Sequence, residues 1–541
     1  MNRHHALAWL VLAAVLLAAG ITPAAHAQPK QTVARTHASL SSRSSGVWYE
    51  IFVRSWYDTN GDGIGDLNGV TAKLDYLKSL GISGIWLMPI NPSPSYHGYD
   101  VTNYYGINPQ YGSMADFEHL LHEAHKCGIK VIMDLVINHT SSQSPWFKAA
   151  QNPHSRYHDW YTWAGPNTNL HAISAAGGPA WHAAIVSADG KPVAGSPYYL
   201  GVFGRNMPDL NYDDPAVRRE MIKVGQFWLK KGVDGFRLDA ARHIYDNLAS
   251  DDGKPSTLRK NVAWWSDFRH GLDVVNRHAY LVGEVTVPPA AAAHPDALLA
   301  PYLKPLDSVF DFPLAAELIA SAQQEKVLPI AASVARSRAA YRAASAGHFI
   351  DATFLSNHDQ NRVLSQLDGN LQHMRMAAAM LLTLPGRPFI YYGEELGMLG
   401  HKPDPDLREP MRWDRSRDAP GETRWKVSSA RQGGDISVAA EQTTPDSLLK
   451  FYRMLIRWRS QLPALRDGRI HPFPLAGEQL MAYRLDDARS HLLVVHNLSG
   501  RPQRVKLLAG SFRRVIRRTR KDVEMHGHLL SLPPYSTAIV Q

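Results

Sequence analysis

Apolar residues along this chain come in two spacings. Short unbroken runs recur at VWYEIFV (47–53), GIWLMP (84–89), KVIMDLVIN (130–138), GFRLDA (235–240), AYLVGEV (279–285), SVFDFPL (308–314), HFIDATFLS (348–356) and RPFIYYG (387–393). Runs of this length, bounded by loops, predict buried parallel strands. Between them VTAKLDYLKSL (70–80) and MADFEHLLHEAHKC (114–127) carry apolar residues at helical spacing. Eight strand–helix units predict an α/β fold, a TIM (β/α)8 barrel rather than an open sheet.

Two stretches break the alternation. Residues 140–207, between the third and fourth strands, are rich in Gly, Pro, His and aromatics and show no period. That predicts a loop-rich insertion. From about residue 465 the runs MAYRL, HLLVVHNL, RRVIRR and STAIV are short and split by turn residues. They predict a C-terminal antiparallel β-sandwich over 465–541. The barrel is then expected in two parts, 46–139 and 208–464.

The N-terminus has its own pattern. Arg3, His4 and His5 precede the apolar run 6–20, and Ala25-His26-Ala27 supplies a cleavage signal. The run is short for a spanning helix of about 20 residues. Residues 1–27 are therefore expected to be a signal peptide and 28–45 a mobile leader. The mature chain is expected to be secreted or periplasmic, without a membrane anchor, and a monomer.

Composition adds little that is unusual. Hydrophobic content of 45% and charged content of 20% describe a globular protein. Most of the 14 Trp and 22 Tyr are assigned to the core. The net charge of +9 lies partly in RRVIRRTRK (513–521). No nucleic-acid motif accompanies that run, so it reads as the solvated face of an edge strand and no nucleic-acid partner is expected. The single cysteine, Cys127, excludes an intrachain disulfide. It falls on the stripe Phe117, Leu120, Leu121, Ala124 and is expected in the core.

The candidate chemistry sits where strands end. Asp239, Glu284 and Asp359 each close an apolar run, and Arg237 and His358 stand beside two of them. In a barrel such residues gather at one face, where sites form. Two carboxyl groups astride a glycosidic bond are what sugar hydrolysis requires. Arg237 lies two residues before Asp239, so both side chains share a strand face and the guanidinium is expected to keep the carboxylate ionised.

Six motifs appear in order: SYHGYDVTNYY (95–105), DLVINH (134–139), MPDLN (207–211), GFRLDAARH (235–243), GEV (283–285) and NHD (357–359). Together they resemble the α-amylase family of glycoside hydrolases, from about residue 47 to 425, and the β-rich tail fits that family's C-terminal domain. The resemblance implies that Asp239 is the nucleophile of a retaining mechanism, Glu284 the general acid and base, and Asp359 the third acid. It makes His139 and His358 partners of sugar hydroxyls and places Tyr99 under the sugar ring. Arg408, in DLREPMRWD (406–414), matches an arginine that some relatives use in the same subsite.

Calcium is the cofactor the resemblance implies. In DTNGDGIGDLNG (58–69), Asp58, Asn60, Asp62, the Ile64 carbonyl and Asp66 fall at positions 1, 3, 5, 7 and 9 of a calcium loop, with Gly63 at the turn. Position 12 is Gly69, so the bidentate glutamate of an EF-hand is missing. Relatives carry an isolated divalent site of this kind after the first strand. Asn138, Asp209 and the His243 carbonyl match the ligands of a second site.

The expected substrate is an α-glucan polymer or oligosaccharide. Exo-acting α-glucosidases of the family carry an acidic residue three positions before the motif tyrosine; here Tyr96 stands before Tyr99. That favours an open cleft and endo-hydrolysis of α-1,4 bonds. MPDLN is shared with groups between the glucosidases and the neopullulanases. An α-glucosidase, a neopullulanase or cyclomaltodextrinase, and a 4-α-glucanotransferase therefore stay open. A non-catalytic carbohydrate-binding relative would have lost the acids.

Overall fold

Successive strand residues point to opposite sides, and in this chain the two sides differ in chemistry. The computed structural model describes residues 46–251, 253–427, 436–507 and 512–541; the expected signal peptide and leader lie outside the described residues. Eight parallel strands form one sheet: β1 (Val47–Ile51), β2 (Ile82–Leu87), β3 (Lys130–Leu135), β4 (Gly235–Leu238), β5 (Tyr280–Gly283), β6 (Ser308–Val309), β7 (Ala352–Thr353) and β8 (Arg387–Tyr391). Their order is β6-β5-β4-β3-β2-β1-β8-β7, and a parallel bridge from Phe310 to Ala352 closes the ring. This is the expected TIM-like barrel.

One set of alternate residues, including Trp48, Trp86, Ile132, Val282, Phe310, Phe354 and Phe389, forms a separate cluster that fills the inside. The other set, including Tyr49, Ile51, Ile85, Met133 and Phe236, joins the core shared with the surrounding helices. Gly84 makes room for the inner layer, since a Cβ there would lie 2.4 Å from the Trp48 indole. Two residues beyond Trp48, Ile132 and Val282 on the same inward rows stand Glu50, Asp134 and Glu284. The inward rows begin apolar and end charged.

Several strands are shorter than the apolar runs suggested. The run 308–314 stops being strand at Val309, and a helix starts at Phe312. Asp311 caps that helix by accepting from the Leu314 N–H at 3.0 Å, with Pro313 in its first turn. The Asp-Phe-Pro signal overrides the apolar count. Helix α1 (Met114–Lys126) opens with a capping box between Ser113 and Asp116. Cys127 is its C-cap and only half-buried, so the expected core position is corrected.

The insertion after β3 holds a short helix, Pro145–Ala150, and a small hairpin, Trp181–Ala183 with Tyr198–Leu200. Bridges His139–Asp209 and Tyr161–Leu210 fasten its root. At the far end, helix α2 (Leu448–Gln461) leads to the C-terminal sheets. The expected boundary at 464/465 falls beside the one-turn helix Ala464–Asp467, and the first strand starts at Arg469.

Eight strands follow: β9 (Arg469–Pro472), β10 (Leu480–Asp486), β11 (His491–Asn497), β12 (Gln503–Lys506), β13 (Val515–Arg518), β14 (Glu524–His526), β15 (Leu529–Leu532) and β16 (Ser536–Val540). They make antiparallel sheets of order β9-β10-β11-β16-β13 and β12-β15-β14. Leu480, Leu493, Val495 and Ala538 pack with Val505 and Leu530 of the smaller sheet, while Tyr483, Leu492, Val494 and Ile539 join the barrel's core. A sheet covered on both faces explains the unbroken LLVV of β11. The arginine-rich β13 is an edge strand, as expected. Among the described residues no helix is long and apolar enough to cross a membrane.

Arg459 of α2 ties these parts together. Its buried guanidinium donates to the carbonyls of Leu382, Leu384 and Leu465 at 3.2, 2.6 and 2.7 Å, and to that of Gly386. Arg459→Met would leave these carbonyls without a donor, at a cost of about 3–5 kcal/mol. The thermal unfolding midpoint, followed by circular dichroism, should fall by several degrees; an unchanged midpoint would assign the seam's stability to apolar packing alone.

Candidate active site

The charged ends of the inward rows meet at the C-terminal mouth of the barrel. There a cavity of about 310 Å³ is lined by residues that include Tyr99, His139, Asp239, Glu284, Asp359 and Arg408. Arg237 lies directly beneath. It is fully buried (0% exposed) and its Nη1 meets Asp134 at 3.0 Å and Asp239 at 2.5 Å, while Nη2 pairs with Glu284 at 3.0 Å. The register that sets Arg237 beside Asp134 on β3 and Val282 on β5 brings the three carboxylates to one guanidinium.

A second network starts from β1. Glu50 meets His358 Nδ1 at 2.6 Å. His358 Nε2 lies 2.6 Å from the Tyr99 hydroxyl and 3.0 Å from Asp359 Oδ2. The Tyr99 hydroxyl donates to Asp134 Oδ2 at 3.1 Å, which joins this network to Arg237. Tyr99 also stacks on the His358 ring, with centroids 5.5 Å apart and planes 11° apart. Arg408 pairs with Asp359 at 2.8 Å and donates to the His358 carbonyl at 3.0 Å. His139 Nε2 meets the Tyr99 carbonyl at 3.1 Å. All eight catalytic and sugar-contact candidates of the sequence therefore gather at this mouth.

Burial raises the Asp239 and Glu284 carboxyls, against the pull of Arg237; for Glu284 the charges of Asp239 and Asp359 add to the rise. Arg237 pulls Asp239 toward the ionised form, as expected, but that pull is set against burial and is divided among three carboxylates. Burial also works on Asp359, but His358 and Arg408 hold its carboxyl well below the usual range. His358 goes the other way: burial would lower it, yet Asp359 and Glu50 push the imidazole up to about 9. Burial alone takes His139 down to about 4, so that ring is neutral.

Four contributors had not been singled out. Glu50 and Asp134 carry the two networks, and each was legible as a lone acid at an inward position of an apolar strand. Asp404 lines the cavity and pairs with Arg408 at 3.2 Å. Phe203, from the insertion, packs its ring 5.4 Å from His139 and 5.6 Å from His243. Only the tertiary fold could bring an insertion residue to this wall.

The two metal candidates differ. In the 58–66 loop, Asp58 accepts from the N–H groups of Asn60, Gly61 and Gly63 at 3.2, 2.7 and 2.8 Å. Asp66 accepts from the Thr59 and Gly69 N–H groups at 2.8 and 2.7 Å. Asn60 and Asp62 each accept from the backbone two residues on, which coils the loop around its oxygens. Asp58 and Asp66 are buried, and among the described residues neither has an ion pair with a lysine or arginine. Buried carboxylates held by backbone N–H groups but without a countercharge fit a bound cation. Among the described residues no three His, Cys, Asp or Glu side chains form a metal cluster; this loop would depend also on the Asn60 amide and Ile64 carbonyl.

At the second candidate, Asn138 donates to Asp209 at 3.3 Å, and burial pushes the Asp209 carboxyl up to about 8. The His243 ring faces the Asp246 carbonyl at 2.7 Å. Asn138 and Asp209 thus come together.

The model of the alpha amylase catalytic domain matches residues 50–468. The chain belongs to the α-amylase family. The model of the alpha-amylase SusG C-terminal domain matches residues 480–539, the paired sheets described above. Alpha-amylase 3 of Dictyoglomus thermophilum is 42% identical over 461 residues, covering 84% of this chain and 85% of that protein. A 4-alpha-glucanotransferase of Thermotoga maritima is 33% identical and covers 84% of this chain and 96% of its own length. The crystal structure of an alpha-amylase from H.orenii superposes with a TM-score of 0.81 at 42% identity, covering 92% of this chain and 99% of that one. The chain is accordingly a glycoside hydrolase of the α-amylase family that acts on α-glucans.

In this family member the Glu50–His358–Asp359 relay yields a pH test. Because the folded pKa of His358 is raised to about 9, its stabilising charge is fully present below the free-histidine value and is lost as pH rises through about 9. Glu50→Gln removes one source of that rise. The His358 titration, read by NMR, should move to lower pH, and the alkaline limb of kcat/KM should move with it. An unmoved alkaline limb would separate His358 from the active form.

Proposed function

We propose that the protein is a retaining endo-α-amylase, hydrolysing α-1,4-glucosidic bonds in starch, glycogen and malto-oligosaccharides. The observation that carries this is the sharing of Arg237 by Asp239 and Glu284, one on each Nη. A single guanidinium keeps two carboxyl groups only a few ångströms apart. That fits the roughly 5–5.5 Å of a retaining mechanism better than the wider gap an inverting one leaves for water.

In this reading Glu284, raised by burial and by its neighbours' charge, gives its proton to the leaving glycosidic oxygen. Asp239 attacks the anomeric carbon and forms a glycosyl ester. Glu284 then takes a proton from water as the water cleaves that ester. Asp359, kept ionised, stabilises the positive charge that develops on the sugar ring and holds its hydroxyls. Tyr99 supplies the ring beneath the sugar, His139 a neutral hydrogen-bonding group, and Arg408 orients Asp359.

The state of Tyr96 supports the endo assignment. Its ring stacks on Trp425 with centroids 5.4 Å and planes 19° apart, and the Arg408 guanidinium lies 5.9 Å away. A tyrosine at this position offers no carboxylate to seal a single-glucose pocket. The 42% identity to alpha-amylase 3 agrees. The glucanotransferase relative keeps transfer as the second reading.

We also propose that the 58–66 loop binds calcium through Asp58, Asn60, Asp62, the Ile64 carbonyl and Asp66. The loop is tied to the segment after β8 by Asp58 N–H to Gly421 O and Arg424 N–H to Gly63 O, at 2.9 and 2.7 Å. Its role would be to stiffen that junction. The apolar run 6–20 and the Ala25-His26-Ala27 site support export of the enzyme.

Glu284→Gln should lower kcat by about 10²–10⁴-fold, and Asp239→Asn by at least as much, with unchanged melting. A product time course on starch should release mixed malto-oligosaccharides early. Glucose alone from the non-reducing end would identify an α-glucosidase, and longer glucans from maltotriose a glucanotransferase.

Chelation should lower the melting midpoint while leaving the rate at saturating substrate nearly unchanged, and Asp58→Ala should abolish that calcium response. Elemental analysis finding no calcium in protein purified with it would count against the site.

A further inference from the structure

Away from the cavity, α2 borders a groove in two adjoining lobes of about 390 and 620 Å³. The lobes share Lys450 and Met454 of α2, and the far wall is β13 and the turn after it. The helix has 14 residues, a length of about 21 Å. Seven cationic side chains line the groove, against the two carboxylates of Asp446 and Asp522. This concentrates much of the chain's excess positive charge on one concave strip.

The fold leaves most of these cations unneutralised, with the Asp446 and Glu441 carboxylates acting on Arg375. Lys450 donates to the Thr444 carbonyl at 2.8 Å, Arg453 to the Ser79 hydroxyl at 3.0 Å and Arg517 to the Gln461 amide oxygen at 2.9 Å. Arg375 donates to the Asp446 carbonyl and lies 4.8 Å over the Phe451 ring. Among the described residues only Arg520 of the seven meets a carboxylate, Asp522 at 3.3 Å, while Arg457 and Lys521 are exposed with no side-chain partner. Pairing to neutral oxygens fixes a guanidinium in place and leaves its charge for a ligand.

We infer that this groove is an interaction surface for an anionic polysaccharide, a sugar chain carrying sulfate, phosphate or carboxylate groups. The elongated shape fits a single extended chain. The exposed amides of Gln372 and Gln461 stand among the cations as partners for sugar hydroxyls. Phe451 and Trp458 are buried in the floor, and Tyr535, half-buried at the rim, has its ring against His373 and its hydroxyl on Glu325, so the groove lacks the row of open rings that base stacking uses. No lining residue is an exposed large apolar side chain of the kind that enters a lipid surface. The groove shares no residue with the catalytic cavity, so this role needs family membership alone and not the linkage proposed above.

The test uses the full-length protein, with dextran sulfate as the anionic probe and uncharged dextran as its control. The parent should bind dextran sulfate at low salt, lose it steeply as salt rises, and ignore dextran. Arg457→Glu with Lys521→Glu should weaken binding at least about tenfold, with melting and the hydrolysis rate on maltopentaose unchanged. Equal dextran sulfate binding by parent and double variant would overturn the proposal. So would tighter groove-dependent binding of duplex DNA or of phosphatidylglycerol vesicles, which would make the surface one for nucleic acid or membrane. Failure of the parent to hydrolyse maltopentaose would bear on the catalytic reading alone, since the binding comparison does not depend on it.

Discussion

One buried guanidinium organises the active site. Arg237 has no access to solvent and is surrounded by Asp134, Asp239 and Glu284. Without its charge, three carboxyl groups in a dry barrel mouth would take up protons or push apart. With it, they are fixed relative to one another and their proton affinities are separated by small differences in position. The mutual placement of nucleophile and acid in the proposed mechanism is a property of this one side chain.

The barrel exists around that arrangement in layers. An inner aromatic cluster around Trp48, Trp86, Phe310 and Phe389 fills the lower lumen. It gives the charged layer a rigid, low-dielectric floor. Asp359 escapes the general rise in carboxyl pKa because it has cationic neighbours of its own, His358 and Arg408, and His358 keeps its proton because Asp359 and Glu50 flank it. The site therefore holds carboxyls of opposite tendency within one cavity, which acid–base chemistry on a sugar requires.

The C-terminal sheets contribute to packing rather than to the cavity. The larger sheet covers barrel helices with one face and the smaller sheet with the other. Arg459 ties α2 to the strand-8 approach and to the start of these sheets through backbone carbonyls. The same α2 forms one wall of the basic groove, so the charge excess of the sequence acquires a defined place only where helix and edge strand meet.

Much of this was legible in the sequence. All eight barrel strands were visible as apolar runs, because a strand buried on both faces must be apolar along its length. Asp239, Glu284 and Asp359 were visible because each interrupts such a run at its end. The strand ends were not legible: Phe312 begins a helix although its run stays apolar, since the Asp311 cap and Pro313 decide backbone conformation locally. The half-burial of Cys127 likewise depends on where α1 stops. The sharing of Arg237, the backing of His358 by Glu50 and the approach of Phe203 from the insertion are contacts between residues far apart in the chain. By itself the sequence determined which runs are apolar along their length and where charge interrupts them, because burial on both faces is a demand each run meets locally. The tertiary structure alone decided which charges meet, because strand register and barrel closure set those distances, and with them every proton affinity in the site.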